Sequence, residues 1–325
     1  MRDNLANFRE LTEQLNTLVV GQAALAERLT IGLLANGHLL IEGAPGLAKT
    51  RAVNTLAGLI DASFKRIQFT PDLLPSDITG TEIFKANTGS FEFQPGPVFN
   101  QLVLADEINR APAKVQAALL EAMGEQQVSI GNNTYPMADL FMVVATQNPI
   151  EHEGTYNLPE AQLDRFIMHI RVDYPHAEAE NQILEIARAE LSQTGDTRLD
   201  AVLNTQQVFE AREAIMSLHM SDAVQRYLIE LVLATRNAAA YNTEAATQIQ
   251  HNIQLGVSPR ATIALDRCCR ARAWLTGRDF VTPDDIQAVA HDCLRHRLTP
   301  SLDAESRGIS SDNIIDELIN LVPVV

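Results

Sequence analysis

The 325-residue sequence lacks several features that mark specialised classes of protein. It has only three cysteines, Cys268, Cys269 and Cys293, and this odd count without paired spacing gives neither a disulfide framework nor a ligand set for a metal. No apolar run approaches the ~18 residues that a membrane-spanning helix needs. The polar N-terminal stretch also lacks the apolar segment of a signal peptide. We therefore expect buried thiols and a cytoplasmic protein without a membrane span.

Positive charge is also scarce. The chain has 25 Lys and Arg residues against 41 Asp and Glu residues, a formal net charge of −16 at pH 7. This balance argues against a broad nucleic-acid face or an anionic membrane as the default partner, although it does not exclude a local basic pore. Only four residues are lysines, and one of them, Lys49, stands in a glycine-rich loop.

That loop, GAPGLAKT over residues 43–50, is similar to the phosphate-binding pattern G-x-x-x-x-G-K-[ST], with Ala48 in place of the second glycine. An apolar run, HLLIEG, precedes it and a helical pattern follows, which is the strand–loop–helix context of such a loop. Backbone N–H groups and the positive end of the helix would then hold phosphates. We expect Lys49 to reach the β- and γ-phosphates and Thr50 to bind magnesium. The alternative for the loop alone is a Gly-Pro turn that opens a helix.

Strand-like and helical patterns alternate in the first half of the chain. After HLLIEG, short apolar runs occupy residues 64–69, 101–108, 141–149 and 166–172. This alternation predicts a parallel sheet covered on both faces. Two segments, 81–99 and 126–137, interrupt it and predict β-hairpins.

The pattern changes after Pro175, where long helical stretches begin and no convincing strand follows. We therefore predict an α/β nucleotide-binding domain over residues 1–175 and a helical domain over residues 176–325. An acidic amphipathic helix is expected near the end of the second domain.

Two adjacent carboxylates follow the run LVLA, namely Asp106 and Glu107. Ligands bind at the carboxyl ends of strands in open α/β sheets, and side chains alternate along a strand, so the two carboxylates can take different roles. We expect Asp106 to hold magnesium and Glu107 to polarise the attacking water. The alternative is a polar strand end that leads into a turn.

Three further side chains have the chemistry of a phosphoryl-transfer site. Asn148 ends the run VVATQ, and its amide can donate to a γ-phosphate, although Asn-Pro alone is a turn signal. Arg165 directly precedes the fifth run and could neutralise charge at a neighbour's phosphates. Arg260 lies in the first turn of a helix, where a cation opposes the helix dipole, so a ligand or partner carboxylate would explain it. For each arginine alone, a surface ion pair is the alternative.

The order of these elements resembles the AAA+ ATPases, and in particular their MoxR-like branch. The resemblance covers roughly residues 5–300, and the motifs that carry it are VVGQ, EGAPGLAKT, FTPDLLPSDITG, LADEINRA, ATQNP, EAQLDRF and GVSPRA. It implies an α/β fold, an AAA+ P-loop NTPase domain with a five-stranded parallel sheet and β-hairpin inserts, followed by a small all-α lid domain. ATP and Mg²⁺ would bind between the two domains, and subunits would close into a ring, usually a hexamer.

The resemblance also implies roles for individual residues. The nucleotide-binding residues are Gly21, Gln22, Gly43, Ala44, Pro45, Gly46, Leu47, Ala48, Lys49, Thr50 and Arg51, with Gly21 and Gln22 beside the adenine. The metal ligands are Thr50 of the Walker A loop and Asp106 of Walker B. The catalytic residues are Glu107 of Walker B, Asn148 as sensor 1, Arg165 as the finger for a neighbouring subunit and Arg260 as sensor 2. Whether Arg260 acts in its own subunit or across an interface is open.

Members of this branch act as chaperone-like remodellers of partner protein complexes, often with a separate partner that carries a von Willebrand factor A domain. The two hairpins would face the pore of the ring and engage a protein client. One alternative is a nucleic-acid motor, but Lys85 is the only cation in residues 81–99 and residues 126–137 contain none. The other alternative is a nucleotide-regulated scaffold with little turnover.

Overall fold

The computed structural model describes residues 2–44, 47, 49–87, 89–148, 155–192 and 200–324. An α/β part comes first and a helical part follows. The α/β part contains helices α1 (Arg2–Leu18), α2 (Ala23–Leu34), α3 (Lys49–Leu59), α4 (Pro75–Thr79), α5 (Ala113–Glu125) and α6 (Glu160–Leu163). Its strands are β1 (His38–Gly43), β2 (Phe64–Gln68), β3 (Gly80–Lys85), β4 (Ser90–Pro95), β5 (Leu102–Asp106), β6 (Gln127–Ile130), β7 (Asn133–Pro136), β8 (Met142–Gln147) and β9 (Phe166–Val172).

The helical part begins with α7 (Ala177–Ser192), which four residues separate from β9. It continues with α8 (Thr205–Met216), α9 (Asp222–Asn237), α10 (Glu244–Asn252), α11 (Pro259–Leu275), α12 (Pro283–Leu294), α13 (Leu302–Ser306) and α14 (Ser311–Leu321), and it includes the short strands β10 (Ile253–Leu255) and β11 (Thr299–Pro300). The amphipathic helix expected near the end of the chain is confirmed as α14. The fold class predicted from the sequence is confirmed as well.

The five apolar runs form one parallel sheet in the order β2-β5-β8-β1-β9. All five residues of β5 are buried, as expected for a strand of a parallel sheet that is covered on both faces. One face packs against α1, α2, α3 and helices of the second part, and the other packs against α5 and the hairpin segments. The sheet prediction is therefore confirmed, strand by strand.

The parallel arrangement gives the sheet two chemically different edges. Every strand ends at one edge, which we call the carboxyl edge, and begins at the opposite amino edge. Strand β1, which lies between β8 and β9, has six residues, so its two ends are about 17 Å apart at the usual rise per residue. A side chain at one edge cannot contact a small group at the other edge of the same subunit.

Both predicted hairpins are confirmed, as the antiparallel pairs β3–β4 and β6–β7. They pack against each other, since the rings of Phe93 and Tyr135 stack with centroids 3.9 Å apart. Farther along the first hairpin, Phe84 and Phe91 are cross-strand partners and their side chains are exposed.

One prediction for the helical part is wrong. We expected no strand after residue 176, yet β10 and β11 pair in antiparallel fashion, with Ile253 opposite Pro300. Strands of three and two residues are too short to show an alternating pattern in the sequence. The expectation of buried thiols is confirmed for all three cysteines.

The helical part shares a hydrophobic core with the first part. The ring of Phe8 in α1 meets that of Trp274 in α11 edge-on, with centroids 5.4 Å apart. A polar contact also joins the two parts, since Arg297 donates to the backbone oxygen of Phe166 in β9 at 2.6 Å. The division near residue 176 stays a prediction, because the two parts are joined by packing on the same face of the sheet.

None of the helices in the described ranges is long and apolar enough to cross a membrane.

Candidate functional site

The predicted phosphate-binding lysine lies at the carboxyl edge, between the ends of β1 and β8. Lys49 begins α3, and its Nζ donates to the backbone oxygen of Gly43 at 2.7 Å and to that of Gln147 at 3.4 Å. Burial lowers the pKa of the Lys49 ammonium, while the carboxylates of Asp106 and Glu107 act in the opposite direction. The side chain is therefore a buried cation held by carbonyl oxygens, which suits a role as a phosphate ligand.

Asp106 ends the neighbouring strand β5 and is 8% exposed. Its Oδ1 accepts a hydrogen bond from Thr146 Oγ1 at 2.6 Å, and its Oδ2 accepts from Arg66 Nη2 at 2.7 Å. The two partners come from the strands on either side, β8 and β2. They fix the carboxylate at the edge.

Glu107 has an unusual backbone conformation. Its φ of 57° and ψ of 50° place a residue that is not glycine in the left-handed region, and its N–H donates to Thr146 Oγ1 at 2.9 Å. Such conformations cluster at functional sites, where the surrounding structure enforces them. The carboxylate Oε2 accepts from Gln68 Nε2 at 2.7 Å and lies 3.2 Å from Arg110 Nε. Glu107 is thus turned out of the strand direction and held by two neighbours.

Asn148 directly follows β8 and is 5% exposed. Gln147, the residue before it, contributes the carbonyl that Lys49 contacts. The predicted sensor amide therefore lies at the same edge as the lysine and the two carboxylates, as the sequence order of the strands implies.

The donor groups at this edge fit magnesium better than a transition metal. No cluster of three or more His, Cys, Asp or Glu side chains is arranged for a metal ion in the described ranges. The candidate ligands, the Thr50 hydroxyl and the Asp106 carboxylate, are both hard oxygen donors. Mg²⁺ is commonly held by one or two carboxylates together with substrate phosphates and water, so a small set of this kind is sufficient.

Part of the phosphate-binding loop lies outside the described residues, namely Pro45, Gly46 and Ala48. Gly43 at its start is packed so closely that a methyl group there would lie 2.7 Å from the backbone oxygen of Val172. Ala44 and Leu47 are buried, whereas Thr50 and Arg51 are half-buried in the first turn of α3.

The predicted adenine-binding pair, Gly21 and Gln22, lies beside the chain that leaves β9. Gln22 Nε2 donates to the backbone oxygen of Asp173 at 2.9 Å. Gly21 has a φ of 78°, and a methyl group there would lie 2.8 Å from Ala179 Cβ, so the position requires glycine. Since Val172 pairs with Gly43, this segment adjoins the phosphate loop at the carboxyl edge.

The two predicted arginines lie elsewhere, at the amino edge. Arg165 directly precedes β9, and it lines a cleft of about 360 Å³ together with Arg260, Gly37 at the start of β1 and Gly124 of α5. Arg165 Nη1 donates to the backbone oxygen of Leu120 at 2.9 Å. The structure thus brings the arginines together and separates both from the residues of the carboxyl edge.

Asp164, which was not predicted as a site residue, directly precedes Arg165 and contacts Arg260. Its carboxylate accepts from Ser258 Oγ at 2.9 Å and from Arg297 Nε at 2.7 Å, and lies 3.5 Å from Arg260 Nη1. Ser258 also caps α11, accepting from the N–H of Arg260. One carboxylate next to Arg165 therefore fixes the start of the helix that carries Arg260.

Sequence reasoning also missed Arg66, Gln68 and Thr146. Each lies on a strand beside β5, and Gln68 is the register partner of Asp106. The available signal was their position at or near the carboxyl end of a predicted strand, where polar side chains point toward ligands. Asp164 and Arg297 carried no such signal, because their contact joins residues 133 positions apart.

Comparison with known proteins identifies the family of this chain. The model of the family "ATPase family associated with various cellular activities (AAA)" matches residues 38–168, and the AAA lid domain model matches residues 245–318. Chaperone MoxR1 of Mycobacterium tuberculosis is 43% identical, with 95% of this chain and 80% of the relative aligned. Protein MoxR of Paracoccus denitrificans is 33% identical over 98% of this chain and 96% of its own.

A crystal structure of a candidate ATPase from Cytophaga hutchinsonii superposes with a TM-score of 0.90 at 45% identity, covering 100% of this chain and 98% of the other. The agreement extends over both the sheet and the helical part. The chain belongs to the MoxR-like AAA+ ATPases.

Proposed function

We propose that this protein hydrolyses ATP in a ring of identical subunits and uses the hydrolysis to remodel partner protein complexes. One observation carries the proposal: Lys49, Asp106 and Glu107 lie at the carboxyl edge, whereas Arg165 and Arg260 lie at the amino edge. The edges are about 17 Å apart across β1. The arginines therefore complete a site only when a second subunit presents its amino edge to the first.

The residues divide the chemistry between them. Lys49 binds the phosphates, and Asn148 and Glu107 orient a water molecule toward the γ-phosphorus. As the water attacks, the bond from the γ-phosphorus to the bridging oxygen of ADP breaks, and Glu107 accepts a proton from the water. Bound Mg²⁺ would neutralise charge on the phosphate oxygens, with Thr50 and Asp106 as its protein ligands.

The two arginines would act on the neighbour's nucleotide. A guanidinium stays charged and presents several donors to phosphate oxygens, so it stabilises the charge of the transition state. Under this proposal Arg260 acts across the interface, since Asp164 holds it beside Arg165. A head-to-tail contact of this kind forms a closed ring when the rotation between subunits closes, and the family resemblance favours a hexamer.

The hairpins support a protein client rather than nucleic acid. The single cation of the first hairpin, Lys85, pairs with Glu92, while the aromatic side chains of Phe84 and Phe91 are exposed. Nucleic-acid binding would require free cations to neutralise phosphates. The name of the relative chaperone MoxR1 also favours a protein client. We propose a cytoplasmic remodeller that works with a separate von Willebrand factor A domain partner.

The direct test is steady-state ATP turnover at several protein concentrations. We expect turnover to require Mg²⁺, to fall when the metal is chelated, and to rise more than linearly with protein concentration as rings form. Duplex DNA should leave the rate unchanged. A strong, salt-sensitive stimulation by DNA would instead establish the nucleic-acid motor.

A glycine beside Arg165 allows a test that leaves the phosphate site untouched. A methyl group at Gly124 would overlap Arg165 Nη1, the far end of a flexible side chain. We expect Gly124→Ala to displace the guanidinium and lower kcat, while helix α5 gains about 0.5–1 kcal/mol of stability because alanine replaces glycine. Thermal unfolding and ATP turnover measure the two effects separately.

The matched control is the double variant Gly124→Ala, Arg165→Ala. If Gly124→Ala acts through the guanidinium, the double variant is no slower than Arg165→Ala alone. An additive loss would contradict this mechanism and indicate a general distortion of α5.

A further inference from the structure

A second cavity, of about 470 Å³, adjoins the arginine cleft and shares Asn36 and Arg267 with it. The residues that line it are apolar (Leu34, Ala35, Ile215 and Met216), cationic (Arg212 and Arg267) and acidic (Glu213). A volume in this range accommodates a group larger than one side chain, such as two adjacent residues of a polypeptide segment. We call it the Arg212 pocket.

Neither arginine of the Arg212 pocket forms an ion pair with a described residue, although Glu213 also lines the pocket. Arg212 donates from Nε and Nη2 to the backbone oxygen of Leu33, at 3.0 and 2.8 Å, and its guanidinium lies 5.6 Å from the ring centre of Phe209. In the described part of the chain, no carboxylate oxygen lies within 4 Å of either guanidinium. Burial, together with the charge of Arg267, lowers the pKa of Arg212 to about 10.

This arrangement is unfavourable for an isolated subunit. A partly buried cation is normally paired with a carboxylate, and two like charges that face one cavity repel each other. An anion in the pocket would relieve both costs. Because apolar side chains line the same pocket as the two guanidinium groups, the fitting group carries a carboxylate beside an apolar body.

The position of the pocket indicates where that group comes from. Arg267 lies seven residues after Arg260 on α11, two helical turns along the same face, and both line the arginine cleft. If the cleft faces a neighbouring subunit, the Arg212 pocket faces it too. This inference therefore rests on the proposed ring.

The carboxyl edge offers one segment with the required chemistry. Asp173 and Tyr174 follow β9 directly; Asp173 is exposed, and the Tyr174 side chain is 69% exposed. They stand beside Gly21 and Gln22, at the adenine end of the proposed nucleotide site. A head-to-tail contact joins two different surfaces of the subunit, and these two surfaces lie at opposite edges of the sheet.

We infer that the Arg212 pocket is a subunit-docking site that receives Asp173 and Tyr174 of a second copy of this chain. The Asp173 carboxylate pairs with Arg267 and Arg212, and the Tyr174 ring packs on Ile215 and Met216. The contact ties the adenine end of one subunit to the helix that carries Arg260 of the next.

A charge-swap experiment tests the pairing. Assembly is measured by mass photometry or sedimentation over a range of protein concentrations, with a non-hydrolysable ATP analogue and Mg²⁺. We expect Arg267→Glu and Asp173→Arg each to raise the half-assembly concentration by ~10-fold or more, and the double variant to recover most of this loss, because it restores opposite charges across the interface. Tyr174→Ala should also weaken assembly. Arg226 is an exposed residue of α9, and Arg226→Glu is the matched control that should leave assembly unchanged.

Folding is followed in parallel by thermal unfolding. Arg267→Glu should be at least as stable as the wild type, since it removes the repulsion with Arg212, and Asp173→Arg and Tyr174→Ala alter exposed side chains. If the wild type assembles and the single variants assemble equally well, the inference is wrong while the proposed function stands. Weakened single variants without recovery in the double variant would also overturn the pairing. A wild type that never assembles with nucleotide would overturn both.

Discussion

Glu107→Gln is expected to bind ATP as tightly as the wild type and to hydrolyse it ~10²–10⁴-fold more slowly, the usual contribution of a general base. The glutamine amide has nearly the shape of the carboxylate, and its oxygen can still accept the hydrogen bond from Gln68 Nε2. It cannot take a proton from the attacking water. Binding and chemistry should therefore separate completely in this variant.

The measurements are equilibrium binding of ATP and single-turnover hydrolysis. Glu121→Gln, an exposed glutamate of α5, is the matched control and should leave both unchanged. If wild type and Glu107→Gln hydrolyse ATP equally slowly, the protein is a nucleotide-regulated scaffold rather than a motor. The same variant, bound to ATP in cells, should retain its client and allow the client to be identified.

Arg165→Ala is expected to keep ATP binding intact and to lower turnover by ~10³–10⁵-fold, as loss of an arginine finger does in other phosphoryl-transfer sites. Its own Lys49, Asp106 and Glu107 are unaffected, because they lie at the opposite edge of the sheet. The loss should appear in kcat rather than in the affinity for ATP. Arg226→Ala, which removes an exposed arginine of α9, controls for the change in net charge.

Mixing subunits distinguishes a finger given to a neighbour from one that acts within its own subunit. Arg165→Ala subunits keep a complete phosphate site, and Lys49→Ala subunits keep a complete finger. In a random equal mixture about one interface in four combines the intact halves, so some turnover should return although neither variant is active alone. Mixed rings without any recovered turnover would show that Arg165 does not act across the interface.

The sheet could be predicted from the sequence because each of its strands is identified by residues that are close together in the chain. A buried parallel strand is a short apolar run, and a polar residue at the end of that run must lie at the carboxyl edge. Asp106, Glu107 and Asn148 follow from this rule alone. The hairpins likewise follow from alternating residues around Gly89 and Gly131, both of which have a positive φ.

The contacts that connect the elements could not be predicted in this way. Asp164 meets Ser258 and Arg297 only after the helical part has folded back onto β9, and nothing in the local pattern around any of the three indicates the others. The left-handed conformation of Glu107 could not be predicted from the local pattern either, because the hydroxyl that accepts from its N–H belongs to Thr146 on another strand. Local patterns identify which residues lie at an edge, whereas the partners at that edge are set by tertiary packing.

The edge-on contact between Phe8 and Trp274 has a consequence for how force would be produced. A helical part that swung away from the sheet during each ATP cycle would have to separate these rings and expose the core they share, at a cost that recurs with every turnover. We therefore expect each subunit to move as a rigid block. In the proposed ring, ATP hydrolysis would then change the angle between neighbouring subunits, and the movement would occur at the boundaries between them.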